Sequence, residues 1–352
     1  MAELMSYLKR AVADGASDLF IVAGGPISEK LDGRLIPLSE ARTHALETER
    51  LITGLYQLAE RPMEQYLRRS DDDFSFAVPG MARLRVNAYR QRGSMAAVIR
   101  VVAFEIPDYR VLGIPEQVME LADVAHGMIL VTGTSGSGKS TTQACMIDRI
   151  NHTRDAHIVT LEDPIEYLHR DCRSIVSQRE IAIDTEDYLS GLRACLRQAP
   201  NVILLGEMRD YETIRTAMTA AETGHLLITT LHTQGVVNTV NRIIDSFLSP
   251  QQTQVRIQLT TVLHTVVSQQ LLPDVNGAQV PAFEIMHMTG AIRNMIRDCK
   301  SYQIDNVIQS ASAEGMVSMD QSILGLYRAG RITRDTAIDY AVNAEQMRRR
   351  LE

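Results

Sequence analysis

Gly133-Thr134-Ser135-Gly136-Ser137-Gly138-Lys139-Ser140 fits the pattern GxxxxGK[ST], and Thr141 follows it. Glycines at these spacings let backbone N–H groups approach phosphate oxygens, and a helix starting behind them adds the positive end of its dipole. Lys139 is placed to reach the β- and γ-phosphates of a nucleoside triphosphate, and the Ser140 hydroxyl to ligate Mg²⁺. The chemistry this predicts is nucleotide binding followed by phosphoryl transfer.

Such a loop needs acids to hold the metal and to activate water, and two clusters supply them. Val202-Ile203-Leu204-Leu205-Gly206-Glu207 is a strand-like run ending in a carboxylate, in the layout of a Walker B strand with Glu in place of the usual Asp. Glu162-Asp163-Pro164-Ile165-Glu166 follows another strand-like run, and open α/β sheets build their sites at such strand ends. A third run, 226–231, is flanked by His225 and His232. A histidine at a strand end is commonly structural, yet His232, just past a buried-type strand, is also placed to read the γ-phosphate through a hydrogen bond.

These residues need a scaffold that brings strand ends together. Apolar runs of strand length at 127–132, 157–161, 202–206 and 226–231 alternate with helical stretches, the pattern of a parallel sheet covered on both faces. The chain before residue 105 reads differently. It predicts a helix over 6–13, a strand over 18–23 and a hairpin turning at Asp32-Gly33. Helix follows over 41–69, then strands over 73–78, 82–90 and 95–102. The expected fold is α/β: an α+β domain over 1–105, a linker over 106–118, and a P-loop domain over 119–352 that becomes helix-rich from about 282. Asp71-Asp72-Asp73 is expected to be a solvated turn.

The 352 residues suit two domains. The formal net charge of -7 and the 5% aromatic content argue against a dedicated nucleic-acid binder. No run approaches the roughly 20 apolar residues that span a bilayer, and none looks like a signal core. The chain is therefore expected in the cytoplasm, without direct membrane insertion. Its four cysteines form no CxxC pair, and reduced, partly buried thiols are the expectation.

Taken together, the motifs resemble those of the secretion-superfamily hexameric ATPases, and specifically the type IV pilus retraction motors of the PilT type. Glu162-Asp163-Pro164-Ile165-Glu166-Tyr167 resembles that family's Asp box, Gly206-Glu207-Met208-Arg209-Asp210 its atypical Walker B, and residues 224–233 its His box. Gly290-Ala291-Ile292-Arg293-Asn294-Met295-Ile296-Arg297 is similar to its C-terminal retraction signature. The resemblance implies a PAS-like first domain and a RecA-like ATPase domain. It implies ATP and Mg²⁺ held by 133–141, with Ser140 and Glu207 at the metal. It makes Glu166 the general base and His232 the reader of nucleotide state. Arg85 and Arg100 of the first domain would complete a neighbour's site, with Arg92 a further candidate. The implied assembly is a homohexamer acting on an inner-membrane pilus platform protein, alongside an accessory retraction ATPase and without nucleic acid. Phe20, Ala199 and Asn201 depart from the family's usual residues. Two alternatives stay open: an accessory subunit with little hydrolysis of its own, and a pilus extension or type II secretion ATPase.

Overall fold

The computed structural model describes residues 1–31, 33–102 and 106–352. Asp32 of the expected hairpin turn and residues 103–105, the end of the expected first domain, lie outside them. The chain divides into two compact units, Met1–Glu105 with Glu166–Leu168, and Ile106–Ile165 with His169–Glu352.

The first unit contains strands β1 (Asp18–Ile21), β2 (Ser28–Leu31), β3 (Arg34–Pro37), β4 (Asp71–Val78), β5 (Ala82–Gln91) and β6 (Ser94–Val102). They form one sheet in the order β3-β2-β1-β6-β5-β4, antiparallel at every pairing. Strand alternation places Leu84, Val86, Ala97 and Ile99 on one face, where they join Leu4, Leu8, Leu51, Ile52 and Leu55 of the helices Ala2–Ala13 and Ala45–Leu58 in a single core. The stretch 41–69 is two helices, the second being Glu64–Arg69.

Asp71-Asp72-Asp73 is not a solvated turn; it opens β4. Asp72 is 3% exposed and accepts hydrogen bonds from the Tyr56 hydroxyl at 3.0 Å and from Arg61 Nε and Nη2 at 3.0 and 2.9 Å. A two-point guanidinium bond offsets the desolvation of the carboxylate, which lets an acid sit inside a strand.

The second unit contains β7 (Gly127–Thr132), β8 (His157–Glu162), β9 (Ile175–Glu180), β10 (Val202–Leu205), β11 (Leu226–Leu231), β12 (Leu263–Pro273) and β13 (Gln279–His287), in the sheet order β13-β12-β7-β11-β10-β8-β9. All pairs are parallel except β12 with β13. Every residue of β7, β10 and β11 is buried. Alternate residues feed two cores. Met128, Leu130, Ile203, Leu205 and Leu227 pack with the helices Tyr211–Glu222 and Val236–Asp245, while Ile129, Val131, Val202, Leu204 and Ile228 pack with the helix Lys139–Thr153. This two-sided burial is why these strands lack polar alternation.

Residues 106–118, read as a linker, carry structure of their own. They hold the short helix Tyr109–Leu112 and lead into Glu116–Met119, and Ile114 and Val118 are buried in the second unit's core. The C-terminal part is helical only after a β12–β13 hairpin, on which Met319, Ile323, Ile332 and Met347 build a further cluster with Leu272 and Val280.

Candidate nucleotide site

The register of the parallel strands brings the sequence motifs to one edge of the sheet. Thr132, the last residue before the glycine-rich loop, pairs with Leu231, the last before His232. Leu205 pairs with Thr229 on one side and with Leu161 on the other, so β10 delivers Gly206-Glu207 beside both the His232 turn and the Glu162-Asp163 turn. Among the central strands β11 lies between β7 and β10, and His232 therefore leaves the sheet between the loop and Glu207.

The loop is held by close backbone contact. Gly133 has φ 146° and Gly138 has φ 86°, conformations that disfavour a side chain. A Cβ at Gly133 would lie 2.2 Å from the Gln269 carbonyl oxygen and 2.5 Å from Ser137 Oγ; one at Gly138 would lie 2.8 Å from Gln269 Nε2. Lys139 is only 8% exposed, and its ammonium donates to the carbonyls of Gly133 at 3.0 Å and Thr134 at 2.8 Å, which keeps the charge at the loop. Thr134, Ser135 and Gly136 are exposed at its crest. The Ser137 hydroxyl is buried and, among the described residues, has no hydrogen-bond partner. Ser140 and Thr141 are half-buried in the first turn of the helix Lys139–Thr153, whose N-terminal N–H groups open on the loop. A cradle closed to side chains, a fixed cation and a helix N-terminus fit a polyphosphate.

Glu207 is 8% exposed; it forms an ion pair with the Arg209 guanidinium, and His232 Nε2 lies 3.3 Å from Glu207 Oε2. Pairing with Glu207 raises the Arg209 pKa above its already high ordinary value. Tyr188 lies against Gly206, where a Cβ would meet its hydroxyl at 2.8 Å. Burial raises its pKa first, and the negative charges of Glu207 and Asp163 raise it further. Thus Glu207, His232, Arg209, Tyr188 and Asp163 share one electrostatic environment. Glu162 accepts bonds from Thr160 Oγ1 at 2.6 Å and Gln178 Nε2 at 3.1 Å. Glu166 is exposed and falls in the segment grouped with the first unit. Among the described residues no preformed cluster of three or more metal-ligating side chains occurs; a divalent ion at this edge would rely on nucleotide oxygens with Ser140 and Glu207.

Arg85 and Arg100 belong to the first unit and are direct cross-strand partners on β5 and β6. They lie on the sheet face opposite the core. Arg100 Nε bonds Asp18 Oδ1 at 3.0 Å, and its side chain is 64% exposed. Arg92 sits in the β5–β6 turn at φ 48°. His225 has a structural role at the other end of β11, its Nδ1 2.9 Å from the Ala220 carbonyl. Asn201 is likewise structural, its side-chain oxygen accepting from His157 N at 2.8 Å.

Three residues here carried no role in the sequence reading: Arg209, Tyr188 and Gln269. The first stood inside a recognised motif; the other two sit outside every motif. The turn after His232 is also anchored. Gly235 N donates to Ser268 Oγ at 3.0 Å and Val236 N to Glu284 Oε2 at 2.8 Å, while Thr233 and Thr239 bond through their hydroxyls at 2.8 Å.

Glu284 is buried beneath that turn, and burial lifts its pKa from 4.5 to about 7, only partly countered by its bonds to backbone N–H groups. The folded state therefore holds this proton more tightly than the unfolded chain does. The group favours the fold below pH 4.5, and that contribution is lost as pH rises through about 7. Glu284→Gln removes the loss, so its melting temperature should gain on wild type as pH goes from 5 to 8. A difference that stays constant over that range would show that Glu284 does not titrate there.

Comparison with known proteins agrees with this arrangement. A family model described as type II/IV secretion system protein matches residues 2–328. The type IV pilus retraction ATPase PilT of Pseudomonas aeruginosa is 41% identical over 346 residues, covering 97% of this chain and 98% of that protein. The type IV pilus ATPase PilU of the same organism is 34% identical over 347 residues, covering 98% and 90%. Among solved structures, the crystal structure of the pilus retraction motor PilT with bound ADP is similar with a TM-score of 0.89 at 42% identity, covering 97% of this chain and 98% of that one. With motifs, strand order and near full-length similarity in agreement, the chain belongs to the type II/IV secretion system protein family.

Proposed function

We propose that this chain is an ATPase that powers type IV pilus retraction, working as a homohexameric ring of two-domain subunits, a PAS-like domain over 1–105 and a RecA-like domain over 119–352. The observation that carries the proposal is the single sheet edge on which the phosphate loop, His232 and Glu207 meet in that order. The likeness to PilT over almost the whole of both chains supports the retraction assignment, and it exceeds the likeness to PilU. Among the described residues no helix is long and apolar enough to cross a membrane. In this reading, work on the membrane passes through a platform protein of the pilus machine, with the ring at the inner face of the cell membrane and an accessory retraction ATPase as a further partner.

Residues 133–141 bind the phosphates of ATP, and Lys139 balances their charge. Ser140 and Glu207 would hold Mg²⁺, which would neutralise further charge on the phosphates. Glu166 takes a proton from water as its oxygen attacks the γ-phosphorus and the bond to the β–γ bridging oxygen breaks. Glu207 orients that water. In this reading His232, whose Nε2 lies 3.3 Å from Glu207 Oε2, couples that carboxylate to the turn that follows β11 and reads whether the γ-phosphate is present.

Arg85 and Arg100 act on a neighbouring subunit's nucleotide, where a cation on the developing charge speeds phosphoryl transfer. Their register pairing supports a joint role: both cations stem from one face of the sheet, with Arg100 held there by Asp18. The shared site is tested by mixing. Arg85→Ala or Arg100→Ala alone should bind ATP and hydrolyse it poorly. Mixed with Lys139→Ala under subunit exchange, either should regain activity, because some interfaces then combine an intact loop with intact arginines. A strictly additive mixture, with exchange shown independently, would contradict a site shared between subunits.

A further inference from the structure

We propose that Gln269 is a positioning residue for the phosphate loop, an inference that rests on the nucleotide-hydrolysis reading above. Gln269 follows Ser268, which pairs with Thr132 at the end of β7, so β12 runs beside the strand that launches the loop. Its side chain is buried, with 4% exposure, although it is polar. Three of its groups meet the loop or the helix behind it. Oε1 accepts a hydrogen bond from Thr142 Oγ1 at 2.8 Å, in the first turn of the helix Lys139–Thr153. The main-chain carbonyl lies where a Cβ of Gly133 would be, and Nε2 lies against Gly138. The two glycines that bound the cradle thus rest on one residue from a strand remote in sequence.

The chemistry of the side chain suits this task. A buried amide offers a donor and an acceptor without charge. A carboxylate in its place would repel the phosphates, and an ammonium would compete with Lys139 for them. Thr142 is fully buried, so removal of the Gln269 acceptor leaves a hydroxyl unsatisfied and the first helical turn free to shift. That turn carries Ser140 and Thr141. A displaced turn weakens ground-state and transition-state phosphate contacts alike, which raises KM and leaves kcat nearly unchanged.

The test uses Gln269→Leu, Thr142→Val and the double variant in the full chain. Steady-state hydrolysis of Mg-ATP and the dissociation constant of a fluorescent ATP analogue are measured for each. Either single change should raise KM and the dissociation constant about tenfold, with kcat within about twofold of wild type, and the double variant should be no worse than the weaker-binding single one. An unchanged KM with a lowered melting temperature would reduce Gln269 to core packing and overturn the proposal. So would effects that multiply in the double variant. Thr142→Val conserves shape and carries the same readout if Gln269→Leu folds poorly. Should wild type bind the analogue without turning over ATP, the hydrolysis reading fails, and the analogue's dissociation constants still decide the role of Gln269.

Discussion

Lys139→Ala should lower ATP turnover by at least about a hundredfold, the scale of losing one preorganised charge at a phosphoryl group. Lys139 is 8% exposed and its ammonium is held at the loop by the Gly133 and Thr134 carbonyls, so little of its field is lost to water. Alanine removes that charge and its bonds to the Gly133 and Thr134 carbonyls, while the backbone conformations of Gly133 and Gly138 and their contacts with Gln269 remain. Binding of a fluorescent ATP analogue should weaken in parallel, with the melting temperature close to wild type. Turnover near the wild-type rate in a folded Lys139→Ala protein would remove the phosphate-loop assignment.

The two proposed carboxylates should separate by phenotype. Glu166→Gln removes the base from the attacking water while leaving the cradle intact; hydrolysis should fall by about 10²- to 10⁴-fold with ATP still bound. Glu207→Gln should also lose hydrolysis, and its Mg²⁺ dependence should shift, because the amide is a poorer partner for a cation. It also alters two pairings at once, to Arg209 and to His232. Titrating Mg²⁺ against rate for both variants makes the distinction. If Glu166→Gln hydrolyses normally and Glu162→Gln does not, the base is the acid at the end of β8 rather than the exposed one four positions later.

Much of the catalytic edge was legible because strands buried on both faces need continuous apolar runs, and β7, β8, β10 and β11 have them. The phosphate loop is a local motif and was equally visible. Strand β9 was not, since it is an edge strand that carries Ser177, Gln178 and Arg179. Strand β12 was hidden by Ser268, Gln269 and Gln270, which break its apolar run. Each is satisfied only in the folded state, Ser268 by Gly235, Gln269 by Thr142 and Gln270 by the Tyr340 carbonyl. Two of the polar residues that concealed the strand, Ser268 and Gln269, meet the turn after His232 and the helix behind the phosphate loop. The side-by-side placement of Arg85 and Arg100 depends on the register of β5 against β6, which no single-sequence pattern contains. Asp72 failed as a turn residue because its partners Tyr56 and Arg61 lie 16 and 11 positions away.

The central claim is that ATP hydrolysis at this site retracts pili. Its most direct measurement is live imaging of fluorescently labelled pili in the host cell whose chromosomal copy carries Lys139→Ala. The account predicts pili that extend and do not retract, with normal levels of the variant protein. Retraction at the wild-type rate and frequency in those cells would contradict it.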